Sequence, residues 1–173
     1  MFIKSLMIVC LVFFVGNTIN AQTYIGAAKC KMCHNSPAKG AQYKVWAEKK
    51  HSKAWDLLSA EEKLKPECAK CHSTFHSVDV SLRGTITEAE GVSCESCHGP
   101  ASNYKAVHVK GDQAASIAVG LVLPNEELCK KCHNAESKHF VSFDYATEYA
   151  KITHPKPRSE ERRVGKECRS RWS

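Results

Sequence analysis

The sequence predicts a mainly α domain of short helices with little or no sheet, and three observations predict it. Apolar residues recur at three- and four-residue spacings in two stretches, 40–58 and 143–153. One short motif, Cys-x-x-Cys-His, occurs four times within residues 22–157, too often for long regular elements to fit between the copies. Strand-like alternation is confined to 74–82 with 85–86, where Gly84 would form a turn.

The two ends of the 173-residue chain stand apart from that domain. Residues 1–21 carry Lys4, an apolar run over 6–15 and a polar stretch ending in Ala21. They read as a secretory signal peptide cleaved before Gln22. The run is half the roughly 20 residues a membrane-spanning helix needs. Cys10 follows Val9 rather than a small residue, which argues against a lipid anchor. The mature protein is therefore expected to be exported and soluble. Residues 158–173 hold six Lys/Arg and three Glu without apolar periodicity. They are expected to be a non-native or disordered basic tail. The formal charge of +7 shrinks accordingly, because residues 22–157 hold 18 basic and 15 acidic residues. That even mixture excludes an electrostatic footprint for nucleic acid.

Within the domain, 40–58 places Trp46, Ala47, His51, Ala54, Trp55 and Leu58 on a helical period. The run 143–153 does the same with Phe143, Tyr145, Tyr149, Ala150 and Ile152, and Pro155 stops it. Short helices are expected to carry each Cys-x-x-Cys-His motif. No Gly-rich phosphate loop and no hydrolase-like triad occurs, so no catalytic residue is assigned.

Outside the signal peptide and the tail, every cysteine belongs to one of the four motifs. They are Cys30, Cys33 and His34; Cys68, Cys71 and His72; Cys94, Cys97 and His98; Cys129, Cys132 and His133. This is the attachment motif of c-type haem. Residues three and four apart share a helix face, so two thiols reach the two vinyl groups of one haem edge while the adjacent imidazole turns onto the iron. Zinc ribbons do not require a His after every pair, and a disulfide framework has no reason to repeat one spacing. A thioredoxin-like pair occurs once and does not want the trailing His. Nine of the 173 residues are His, so four such placements by chance have odds on the order of 10⁻⁵.

Four haems on 136 residues leave 34 residues each, too few for an ordinary core. The haems must then serve as the core, closely packed, with short helices wrapped round them and thioether bonds as staples. The motifs begin 38, 26 and 35 residues apart, which makes one domain rather than four.

Each motif supplies one axial ligand. Methionine is excluded as the other, since Met1 and Met7 leave with the signal peptide and Met32 lies inside the first motif. The irons are therefore bis-histidine, of low potential, or carry an open position. Five histidines lie outside the motifs. His51 has Ala47 and Ala54 on its own face, small neighbours that let a flat macrocycle approach. His108 lies on a short segment ten residues after His98, and His154 ends the aromatic helix. His76, four residues after His72, would ligate a neighbouring haem or donate protons, and His139 reads as a surface residue.

Taken together, these residues resemble the tetrahaem cytochrome c-554 family. The resemblance rests on 24–30 leading into the first motif, Trp46 with His51-Ser52-Lys53-Ala54, GVSCESCHGP at 91–100, His108, and FDYATEYAKITHP at 143–155. It implies a periplasmic electron carrier with closely stacked haems and distal ligands at His51, His108 and His154. It also implies a high-spin second haem, on His72, with no strong distal ligand. His76 and His139 stand as alternative caps for that iron.

Two other functions compete with an electron shuttle between exported redox proteins. One is a small reductase or oxidase acting on a nitrogen or sulfur species at an open iron, with His76 or Lys70 as proton source. The other is a non-catalytic module, either a gas sensor or a haem subunit of a larger redox complex. Lys49 and Lys50, and Lys130 and Lys131, are candidate docking residues for redox partners. No nucleic acid and no membrane span are expected.

Overall fold

The computed structural model describes residues 22–155. The signal peptide and the basic tail lie outside the described residues. Ten short α-helices follow one another: α1 (Ala27–His34), α2 (Gln42–Ala47), α3 (Ala60–Lys63), α4 (Pro66–His72), α5 (Thr74–Ser77), α6 (Cys94–His98), α7 (Tyr104–His108), α8 (Gln113–Ala118), α9 (Glu126–Lys130) and α10 (Tyr145–Ile152). Among the described residues there is no strand, only a parallel bridge between Tyr24 and Arg83.

Helices this short are marginal alone, and the sequence supplies local caps for many of them. Ser59 and Glu62 form a capping box at α3, each side chain bonded to the other's backbone N–H. Asp112, Asn125 and Asp144 each accept a backbone N–H at the starts of α8, α9 and α10. Pro66 opens α4, where its missing N–H costs nothing.

Two expectations are corrected here. The period over 40–58 is not one helix. It breaks after Ala47 and resumes as a 3-10 segment, His51–Leu57. The hydroxyl of Ser52 donates to the carbonyls of Ala47 (3.1 Å) and Lys49 (2.8 Å), which end the first piece. The alternating stretch 74–86 is not a strand. It holds α5 and a 3-10 turn, Val80–Leu82. Among the described residues its one bridge partner is Tyr24, whose backbone bonds Leu82 and Thr85, and local bonds hold the middle, with Asp79 Oδ1 accepting Ser81 N–H at 2.8 Å. The helix expected over 143–153 forms as α10 and stops before Pro155.

The polypeptide's own apolar core is thin. Its buried apolar residues are mostly small, Ala27, Ala54, Ala69 and Ala101, with Trp55, Ile86 and Tyr104. Polar side chains are buried beside them, and Glu95 is the largest that is fully buried, 1% exposed. Glu95 Oε1 accepts the N–H groups of Ile25 (2.9 Å) and Ala101 (2.7 Å), and Oε2 accepts that of Gly26 (2.7 Å). Glu90 Oε2 accepts Ala27 N–H at 2.7 Å, so two carboxylates hold the start of α1. Burial raises the Glu90 pKa above the usual carboxylate range, and Glu95 adds to the rise.

A close approach requires glycine at one point. Gly91 has φ +59°, and a Cβ there would lie 2.6 Å from the His51 carbonyl oxygen. Val92 N–H donates to that same carbonyl at 2.9 Å, which ties His51 to the strap preceding α6.

Removing the negative charge at the buried junction tests its weight. Glu95→Gln keeps the shape but turns an amide NH₂ toward backbone N–H donors. It is expected to lower the unfolding free energy by about 3 kcal/mol in denaturant titrations of the purified protein. A loss below about 0.5 kcal/mol would mean that the carboxylate does not hold α1 against α6.

Candidate functional site

Each motif sits at a helix end. The first three complete their helices, with His34, His72 and His98 as the last residues of α1, α4 and α6. In the fourth, α9 ends at Lys130, and Cys132 and His133 lie in the following turn, where His133 N–H still bonds the Cys129 carbonyl at 3.0 Å. None of the eight motif cysteines is in a disulfide.

Three motif imidazoles are turned by a hydrogen bond at Nδ1. His34 Nδ1–H donates to Gln42 Oε1 at 3.2 Å. His72 Nδ1–H donates to the Ala54 carbonyl at 2.8 Å, and His98 Nδ1–H to the Val122 carbonyl at 3.3 Å. Such a bond fixes the tautomer and leaves Nε2 free to bind a metal. The ring of His133 is held instead by stacking on Phe143, with centroids 4.9 Å apart.

The non-motif histidines come to the motif histidines in pairs. His108 lies against His34 with ring centroids 5.7 Å apart, His154 against His98 at 6.0 Å, and His51 against His133 at 6.0 Å. Two imidazoles on opposite sides of one metal, each nitrogen about 2 Å from it, have centroids roughly 6 Å apart. The pair spacing therefore fits an iron held between two histidines. Burial lowers the pKa values of His51, His98 and His108, and the facing histidine lowers each further. Both effects favour the neutral imidazole that binds metals. Among the described residues, no three of His, Cys, Asp and Glu gather as a cage for a bare ion. The arrangement suits a group that brings its own in-plane donors.

His72 has no ring partner of this kind among the described residues. His76 stacks on Trp55, centroids 4.9 Å apart, and its Nε2 lies 3.2 Å from Glu88 Oε1, too oblique for a hydrogen bond. His139 is exposed.

Thiols of different motifs face one another. The Cys30 thiol lies beside that of Cys94, and the Cys132 thiol beside that of Cys71. Burial pushes the Cys97 thiol up to about 11, with Cys129 adding to the rise, and pushes Cys132 up to about 12, with Cys71 adding. The contacts run from the first motif to the third, the fourth and the second.

The structure also shows positioning groups that the sequence did not announce. The carbonyls of Ala54 and Val122 carry no side-chain signal. Gln42 had one, a polar residue at the start of an apolar-periodic run, and it is buried. Its Nε2 donates to the carbonyls of Lys39 and, at 3.1 Å, Pro155, so it links His34 to the segment carrying His154.

No helix among the described residues is long and apolar enough to cross a membrane. A family model described as "Cytochrome c554 and c-prime" matches residues 29–99, a stretch that contains the first three motifs. Cytochrome c-554 of Nitrosomonas europaea is 30% identical over 124 residues, which cover 61% of this chain and 50% of the relative. The chain thus spans about half the length of that curated relative. No solved structure matches. The motif run, its mainly helical setting and these two matches point the same way: over the matched region the chain is similar to the cytochrome c-554 family of c-type cytochromes.

Proposed function

We propose that the protein is a periplasmic electron carrier with four covalently attached c-type haems. The thioether positions are Cys30 and Cys33, Cys68 and Cys71, Cys94 and Cys97, and Cys129 and Cys132. The observation that carries the reading is the pairing of His34 with His108, His98 with His154, and His133 with His51, all at the spacing of two ligands on one iron. When bound, haem supplies one-electron chemistry at low potential under bis-histidine ligation. The chain's part is to hold the rings in pairs and to exclude a methionine ligand. It also brings the attachment thiols together in the order first, third, fourth, second. Residues 1–21, read as a secretory signal, support the periplasmic location. Donor and acceptor are other redox proteins.

A second reading has its own observation. The absence of an imidazole opposite His72 among the described residues supports an open second iron, at which a small nitrogen or sulfur species would bind. Trp55 and Glu88 engage His76, which argues against its serving as the cap.

Electron paramagnetic resonance of the oxidised, haem-loaded protein tests the open second iron. Three low-spin haems and one high-spin haem are expected. Four low-spin signals would require a cap on His72 and remove the open site. A second expectation tests the pairing itself. His51→Ala should convert one further haem, the one on His133, to high spin while the pyridine haemochrome count stays unchanged. An unaltered spectrum would sink the assignment of His51.

A further inference from the structure

Charge is unevenly distributed along the row of motifs. Residues 27–53 hold seven lysines and a single acidic residue, Glu48, whereas residues 54–95 hold eight acidic and four basic residues. The lysines are Lys29, Lys31, Lys39, Lys44, Lys49, Lys50 and Lys53; six are exposed and Lys49 is half-buried. Lys29 and Lys31 lie on α1, Lys44 on α2 and Lys53 on the 3-10 segment His51–Leu57, with α1 packed on α2 and α2 on that segment; Lys39, Lys49 and Lys50 lie in the short connections between them. Elsewhere Lys65, Lys70, Lys130 and Lys151 each pair with a glutamate. Among the described residues none of the seven forms an ion pair, although Lys31 lies over the ring of Tyr43 at 5.3 Å. Seven unneutralised cations on adjoining elements cost self-repulsion that intramolecular pairs would have relieved. Lys29 and Lys31 flank Cys30, the attachment thiol at one end of the row of thiol contacts. The acidic stretch contains the second motif, at the other end, although two of its carboxylates, Glu90 and Glu95, are turned inward to backbone N–H groups at the start of α1.

We infer that the basic arc formed by these seven lysines is the docking surface for an acidic redox protein, which exchanges electrons at the haem on His34. This inference rests on the electron-carrier reading. Complementary charge raises encounter rates and orients the partner, and the effect fades with salt. In each encounter one electron leaves the partner's reduced cofactor and one ferric haem becomes ferrous.

The test uses haem-loaded protein and an acidic flavodoxin as probe. Stopped flow follows reduction by its hydroquinone, which becomes the semiquinone, and titration of the oxidised flavodoxin measures binding. Lys44→Glu with Lys53→Glu lies outside every motif and leaves haem attachment intact. This pair should lower the second-order rate at least tenfold at about 10 mM ionic strength and converge on the parent rate near about 0.5 M. Flavodoxin binding should weaken in parallel. Lys65→Glu with Lys138→Glu makes the same change in net charge off the arc and should stay within twofold of the parent. Equal losses in both pairs, or none in the arc pair, would overturn the inference. So would arc-dependent binding to phosphatidylglycerol vesicles with the flavodoxin rate unmoved, which would assign the arc to a membrane surface. Reduction by neutral photoreduced lumiflavin separates the two levels. If lumiflavin cannot reduce the haems, the carrier reading fails; if it can while the arc is silent, only the docking surface fails.

Discussion

The buried carboxylate of Glu95 is the junction on which the arrangement of the motifs depends. Glu95 lies between the two cysteines of the third motif, and its oxygens gather N–H groups from Ile25, Gly26 and Ala101. A carboxylate this deeply buried persists only with such partners. By accepting from the residues that lead into α1, it sets the first motif against the third and brings Cys30 to Cys94. The Coulombic influence of His34 and His108 on His98 shows that the two histidine pairs are also neighbours. One side chain thus converts a spacing along the sequence into a contact between two motifs.

Around that junction the fold is held by polar threads rather than by a continuous apolar core. The Thr74 hydroxyl receives Ser93 N–H at 2.8 Å and bonds the Ser96 hydroxyl at 2.6 Å, which joins α5 to α6. Trp46 Nε1–H donates to the Val92 carbonyl, and Val92 N–H in turn donates to the His51 carbonyl. These bonds place His51, which pairs with the histidine of the fourth motif, through contacts with the segment before the third motif. Directional bonds suit this task. They fix where a ring stands to within fractions of an ångström, whereas apolar packing among alanines would tolerate sliding.

The site was legible in the sequence wherever a side chain carries the chemistry. The repeated Cys-x-x-Cys-His spacing picked out the cysteines and histidines that the fold draws together. The small neighbours of His51, the offset of His108 from His98 and the position of His154 before Pro155 singled out the three histidines that the fold brings to motif histidines. What could not be read was carried by backbone. The carbonyls of Ala54 and Val122 turn His72 and His98, and a carbonyl leaves no mark on residue identity. The fold-level misses have the same origin. Residues 74–86 alternate like a strand but have Tyr24, in an isolated bridge, as their one bridge partner among the described residues, and the single period across 40–58 conceals the Ser52 bonds that split it.

The fate of His76 shows how one backbone residue decides what a histidine can do. On a continuous helix His76 would lie one turn beyond His72, on the same face. Ser73 interrupts the helix with extended dihedrals, φ −145° and ψ 129°, and its fully buried side chain, bonded to the Glu88 carbonyl, holds that break in place. Thr74 N–H then donates to the Gly91 carbonyl rather than continuing α4. The redirected α5 delivers His76 to Trp55 and Glu88. Trp55 directly follows Ala54, whose carbonyl turns His72. The same break that takes His76 away from the helix face of its motif thus packs it behind the segment that orients the motif's own imidazole. His76 is thereby a support for the second site from the protein side.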